Sequence, residues 1–434
     1  MASEPKPRPE YYDYTYDMFL ASVDGEKPES TRFSEWIDAA RRDGVYSFET
    51  PRLEGQGTEV RVRRHDGTQV RLLNFSSYNY LGYARHPQVI EAAKRALDEY
   101  GLGACSSPVQ AGTLALHIAL EQRLVEFIGL PDRGVSLFSS GYAVNTGTIS
   151  ALMKRRHHIV IDKSAHMSML EGAQLARSEL AYFEHNDADH LEAILKEITP
   201  AASRVLVCTE GVFSADGDFG ALDRIVPIAK AHGAEVLVDE AHSFLLCGSR
   251  GRGVAEERGV LDQIDYFVVT FSKALGGIGG ALIASREVAR YVNWFARCRM
   301  FSCALDPAIT AGITRSLELA AGSDGEERRR RLHRNAAQLR GALQDEVEIR
   351  GSGSWIVPVI FGPENLSIPL ADWLQRQGLE GSVMSFPAVP PNEARIRLFV
   401  TSEHSAEQIS RCAHIVSRAA AEFSFARPRQ ASAI

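Results

Sequence analysis

No apolar run in the chain approaches the ~20 residues that a membrane-crossing helix needs, which argues against a transmembrane segment. The opening stretch, Met1-Ala-Ser-Glu-Pro-Lys-Pro-Arg-Pro-Glu10, lacks the hydrophobic core of a secretory signal, so the expected compartment is the cytoplasm. Basic charge is in deficit: 48 Lys and Arg face 55 Asp and Glu, a net −7, which argues against nucleic acid as a main partner. The six cysteines, at 105, 208, 247, 298, 303 and 412, contain no Cys-x-x-Cys pair. Those in apolar surroundings, such as Leu206-Val-Cys208, read as reduced buried thiols. The thirteen histidines lack metal-ligand spacing, and the adjacent pair His157-His158 would point to opposite faces of a strand. No metal is expected. There is no internal repeat, and no low-complexity tract away from the two ends.

What is present is ordinary globular material, 45% hydrophobic and 24% charged over 434 residues. That suffices for two or three domains, or for one large α/β unit with an appended lobe. By composition the first ~30 residues form a poorly ordered arm. A short helix over Ser34–Arg42 and a β-hairpin over Glu59–Leu73, turning at Asp66-Gly67, follow. From residue 86 helices and strands alternate. Helices are expected at Pro87–Tyr100, Thr113–Gly129 and Ala143–Lys154. Strands are expected at Val135–Ser139, His158–Ile161, Val205–Thr209, Glu235–Val238, Phe267–Thr270 and Gly280–Ser285. This implies a largely parallel sheet covered on both faces. Beyond Pro307 come a helix to about Leu319 and a second over Glu326–Leu343, whose Arg328-Arg-Arg-Arg331 reads as a solvated face. Strands at Ile356–Ile360 and Ile396–Val400 and a helix over Ala406–Ala421 complete a smaller α+β C-terminal lobe. The expected division is 1–75 for the arm, short helix and hairpin, 76–306 for the large domain and 307–434 for the small one.

The chemistry centres on Lys273, in Val268-Val-Thr-Phe-Ser-Lys273-Ala-Leu-Gly-Gly277, and Asp239, in Val236-Leu-Val-Asp239. They stand 273 − 239 = 34 residues apart, room for one strand, a crossing segment and a second strand. An aldehyde cofactor needs a lysine amine, and a pyridine ring needs a carboxylate to keep its nitrogen protonated. Alone, such a lysine is most often a surface residue and such an aspartate a helix cap. Together, with Thr270 and Ser272 beside the lysine and glycines at 276, 277, 279 and 280, they point to pyridoxal 5′-phosphate (PLP). The phosphate needs a cradle of donors, and Ser139-Ser140-Gly141-Tyr142 supplies one between a strand and a helix. His242 can reach the ring's phenolic oxygen, or else merely cap the next helix. His166, in Asp162-Lys-Ser-Ala-His166-Met-Ser168, is a candidate for stacking on the ring.

Six strings occur in an order that resembles the α-oxoamine synthases, PLP enzymes of fold type I. They are Asn74-Phe-Ser-Ser-Tyr-Asn79-Tyr-Leu-Gly82, Tyr100-Gly-Leu-Gly-Ala-Cys105, Gly112-Thr113 with His117, Thr209-Glu-Gly-Val-Phe-Ser214-Ala-Asp-Gly217, Asp239-Glu-Ala-His-Ser243 and Thr270-Phe-Ser-Lys273. The family includes serine palmitoyltransferase and 8-amino-7-oxononanoate synthase, and the likeness covers roughly residues 35 to 422.

The resemblance implies a PLP-dependent acyltransferase. It would condense a small amino acid (serine, alanine or glycine) with an acyl thioester of CoA or an acyl carrier protein, release carbon dioxide and leave an α-amino ketone. Lys273 would remove the α-proton, Ser140 and Thr270 would bind phosphate, and Ser214 would lie near the ring oxygen. Ser302 would bind phosphate from the neighbouring subunit of a homodimer. Arg397, in Ala394-Arg-Ile-Arg397-Leu-Phe-Val400, would hold the amino acid's carboxylate, with Asn79 as a weaker contact. A fork of donors suits that task, and Arg395, on the same face of a strand, is an alternative. Three positions depart from the family. Ser385 stands where serine palmitoyltransferases often carry an arginine, Pro108 replaces a basic residue, and Met167 follows His166 where alanine is usual. The amino acid, the acyl chain and the carrier stay open. An aminotransferase or lyase of the same fold, and a non-catalytic scaffold subunit, are the competing expectations.

Overall fold

The computed structural model describes residues 16–20, 25–351 and 353–425, so most of the expected N-terminal arm lies outside the described residues. The strands are β1 (Glu59–Arg63), β2 (Gln69–Phe75), β3 (Arg133–Phe138), β4 (His158–Asp162), β5 (Glu179–Phe183), β6 (Val205–Glu210), β7 (Glu235–Asp239), β8 (Tyr266–Thr270), β9 (Gly280–Ser285), β10 (Ile356–Gly362), β11 (Leu379–Met384) and β12 (Ala394–Phe399). The chain forms two compact units. One comprises Met1–Ser77, Ala215–Gly217 and His333–Ile434, the other Tyr78–Ser214 and Asp218–Leu332. These units divide after residues 77 and 332, against expected divisions after 75 and 306. The helix Pro307–Ala321 packs on the helices Pro87–Tyr100 and Ala115–Ile128, and so counts with the larger unit. No helix among the described residues is long and apolar enough to cross a membrane.

The larger unit is built on a seven-stranded sheet in the order β3-β9-β8-β7-β6-β4-β5. Strands β4 to β8 are mutually parallel, and β9 is antiparallel to both β8 and β3. Every residue of β6 and β8 is buried, as continuous apolar β-branched runs require when helices cover both faces. Leu206, Cys208, Leu237, Val268 and Leu282 pack there with Val144 and Ile149 of the helix Gly141–Leu152. Because β3 runs with the five parallel strands, Phe138, Asp162, Glu210, Asp239 and Thr270 all end on one edge of the sheet. Ligands of open α/β sheets bind at that carboxyl edge. Strand β5 escaped the reading of the sequence because it follows its helix closely and lies half exposed at the sheet border.

The smaller unit carries a five-stranded sheet, β1-β2-β11-β12-β10. Strands β1 and β2 form the expected hairpin: Thr68 N donates to Asp66 Oδ1 at 2.9 Å, and Gly67 takes a φ of 86°, which suits glycine. The helix Ala406–Phe423 opens with a Ser405/Gln408 capping box. Strand β11, Leu-Glu-Gly-Ser-Val-Met, is too polar to have been read as a strand, yet it joins β2 to β12. The arginine run is corrected in part. Arg330 is exposed, but Arg328 turns inward onto the Leu81 carbonyl at 2.7 Å and Asp324 at 2.8 Å, and Arg329 is buried against the Ala320 carbonyl. On a helix, four consecutive residues must cover every face.

Candidate active site

The loop after β3 enters the helix Gly141–Leu152 through Ser140, whose hydroxyl accepts from Ala143 N at 3.1 Å. A Cβ on Gly141 would lie 2.6 Å from Thr270 Oγ1, so glycine is what admits the Thr270 hydroxyl to the helix start. Thr270 Oγ1 in turn lies 3.1 Å from Ser272 Oγ. Lys273 follows three residues after the end of β8, half-buried, on a tight turn: Gly276 N donates to the Lys273 carbonyl at 3.0 Å, and Gly276 has a φ of 72°. First-turn N–H groups, two hydroxyls and a lysine therefore converge on the sheet's carboxyl edge.

Asp239, 6% exposed, ends the neighbouring strand β7. Its Oδ1 accepts from Ala241 N at 2.8 Å and its Oδ2 from Asn145 Nδ2 at 2.7 Å. Asn145 Nδ2 also donates to Ser168 Oγ at 2.9 Å, and Ser168 Oγ lies 2.8 Å from His166 Nδ1. Tyr142 meets the His166 ring edge-on, with centroids 5.7 Å apart. The sequence reading missed Asn145 and Ser168. The available signal was Asn145 as the single amide side chain in the helix Gly141–Leu152.

Two further buried acids flank Asp239. Burial, joined by the charge of Asp239, pushes the Glu210 carboxyl well above its usual range, and Glu210 Oε1 accepts from His166 N at 2.6 Å. Burial lifts Glu240 to about 7 against the N–H groups of Val254 and Ala255.

His242, 4% exposed, caps no helix, since only turns follow it. Its Nδ1 lies 2.8 Å from the Tyr80 hydroxyl. Asn79 Oδ1 accepts from Ala84 N at 3.2 Å, shaping the turn after that tyrosine. Ser214 sits in the loop after β6, which His185 braces: Nδ1 lies 2.9 Å from Asp162 Oδ1, and Nε2 lies 2.8 Å from Asp218 Oδ2. Burial alone would lower the His185 pKa, but bonding to the two carboxylates outweighs it and lifts the value to about 10. Ser302 Oγ donates to the Cys298 carbonyl at 2.6 Å, and Ser302 lines a small cavity, about 20 Å³, with Ser139. Beside it Phe301 is 80% exposed.

The two candidate arginines lie on β12 of the smaller unit. Arg395, 0% exposed, is held by Asp216 at 2.5 Å and by Glu393 at 3.3 Å. Arg397 donates from Nη2 to Ser382 Oγ at 3.1 Å and lies 5.0 Å from the centre of the Phe399 ring.

The family model for aminotransferase class I and II matches residues 70–416. The 8-amino-7-oxononanoate synthase of Salmonella enteritidis PT4 is 38% identical over 345 residues, covering 79% of this chain and 88% of that protein. Among solved structures, a serine palmitoyltransferase of Sphingomonas wittichii aligns with a TM-score of 0.84 at 30% identity, over 91% of this chain and 97% of its own. One from S. paucimobilis, with a bound PLP-myriocin aldimine, aligns with the same TM-score at 31% identity, over 91% of this chain and 98% of that one.

Proposed function

Because this chain belongs to the aminotransferase class I and II family, and within it to the α-oxoamine synthases of fold type I, we propose that it condenses a small amino acid with an acyl thioester, with loss of carbon dioxide, to give an α-amino ketone. The cofactor is PLP, and the residues present fit it. The observation that carries the reading is the meeting, on one sheet edge, of a glycine-admitted hydroxyl and helix start, a lysine on a tight turn, and a buried, oriented carboxylate on the next strand.

Bound PLP supplies an electron sink for the pair left when a bond at the substrate Cα breaks. Ser140, Gly141 and Tyr142 with Thr270 would hold the phosphate by hydroxyls and first-turn N–H groups. Asp239 would keep the proton on the ring nitrogen. His166 would lie against the ring, and His242, steadied by Tyr80, would lie with Ser214 at the phenolic oxygen. Lys273 would hold the aldehyde through its amine and, once the amino acid's amine has displaced it, would be free to accept the α-proton. The new carbon–carbon bond would form to the thioester carbonyl and expel the thiol, the amino acid's carboxylate would leave as carbon dioxide, and a proton returned to Cα by Lys273 would complete the α-amino ketone. Arg397 is assigned to that carboxylate, with Asn79 as a weaker contact. Arg395, already answered by Asp216 and Glu393, is not.

The reading includes a homodimer in which Ser302 serves the other subunit's cofactor, supported by the exposed Phe301 beside it. It takes the cytoplasm as the compartment, in keeping with six free cysteines. The test is product analysis over a panel of amino acids and acyl thioesters. Aminoketone with stoichiometric carbon dioxide is expected, and keto acid alone, formed without thioester, would overturn the synthase in favour of an aminotransferase. Lys273→Ala should abolish the visible absorbance of the loaded protein and lower the rate by about 10³-fold or more.

A further inference from the structure

Proton bookkeeping along the bonds behind Asp239 fixes the state of a second site residue. Asn145 is buried, and its amide cannot be turned over, because Oδ1 would then face the Asp239 carboxylate, which only accepts. Both Nδ2 protons are therefore engaged, one on Asp239 Oδ2 at 2.7 Å and one on Ser168 Oγ at 2.9 Å. Ser168, fully buried, has one hydroxyl proton left to give, and His166 Nδ1 stands 2.8 Å away. The Ser168 backbone N–H also points at Nδ1, at 3.3 Å. A ring nitrogen facing two donors carries no proton of its own.

We propose that Asn145 and Ser168 are positioning residues that hold His166 as its neutral Nε2–H tautomer and orient it together with Asp239 as one hydrogen-bonded unit. The benefit follows from charge and rests on the PLP reading above. A ring whose nitrogen is kept protonated by Asp239 is cationic at that end, and an imidazolium laid against it would set two cations face to face. The Ser168 hydroxyl thus keeps His166 neutral, while Asn145 ties the histidine's position to that of the carboxylate. Glu210 adds to the unit from β6 by accepting the His166 backbone N–H. With Glu210 the unit draws on four separate stretches of chain, and Asn145 and Asp239 are 94 residues apart.

The wild-type protein tests this directly. Two-bond ¹H–¹⁵N correlations of protein labelled with ¹⁵N-histidine, recorded with and without PLP at neutral pH and assigned with His166→Gln, should show unprotonated Nδ1 and protonated Nε2 at His166. An Nδ1–H tautomer or an imidazolium would overturn the proposal. Ser168→Ala should mix the tautomers and lower kcat about 10- to 100-fold, with KM for the thioester within about two-fold. Wild-type ring shifts with an unchanged kcat in that variant would also overturn it. The NMR readout stands whether or not aminoketone forms, so failure of the synthase reading and failure of this inference are told apart.

Discussion

Asp239 in the larger unit and Arg395 in the smaller are both charged, buried residues on central strands, yet their surroundings differ. Asp239 is oriented by neutral donors, the Asn145 amide and the Ala241 N–H. Arg395 is met by two full charges, Asp216 and Glu393. Neutral donors steady a carboxylate without cancelling its charge, so its field remains available to a cationic ring nitrogen. Opposite charges cancel one another inside the protein, and what they leave is structure. The contrast supports the proposed cofactor role of Asp239 against a structural one for Arg395, which ties a loop to a strand, and it supports the proposed assignment of substrate to Arg397 rather than Arg395.

The largest effect that could break this contrast is expected at Asp239. Asp239→Asn keeps the shape and removes the charge, and should lower kcat/KM by about 100-fold or more with little change in melting temperature. A variant with near wild-type activity would remove the distinction. Asp216→Ala should act the other way, costing about 3 kcal/mol of stability in denaturant titration by stripping a charge partner from buried Arg395.

A smaller, pH-dependent effect is expected at His185. Its folded pKa of about 10 lies above the ordinary 6.5, so its contribution is fully present below about pH 6.5 and is lost as pH rises toward 10. His185→Gln should flatten that alkaline fall by up to about 3 kcal/mol, read as melting temperature against pH. The smallest effect belongs to Arg330→Ala. Its side chain is 71% exposed beside Glu327, and stability should stay within about 0.5 kcal/mol of wild type, which would set the baseline for the buried charges.

Much of the larger unit could be read locally. Continuous apolar runs placed β6, β7 and β8, and Asp239 and Thr270, which end the last two, are candidates on the sequence alone, whereas Glu210 at the end of β6 is not. Strands β5 and β11 were invisible because edge exposure and polar composition erase the pattern that burial writes. The inward turn of Arg328 and Arg329 was hidden for a related reason: a run of like charges says nothing of which members find carbonyls or acids.

The amino-acid order alone therefore determined the run of buried strands, the aspartate ending one of them with the lysine just beyond the next, and the glycine at the start of the helix after β3, because each depends on neighbours a few residues away. Only the tertiary structure decided how those groups are held. Asn145 meets Asp239 across 94 residues, Tyr80 meets His242 across 162, and Arg395 meets Asp216 across 179. A hydrogen bond is made by atoms within about 3 Å, and separation along the chain carries no record of which distant donors folding will bring that close.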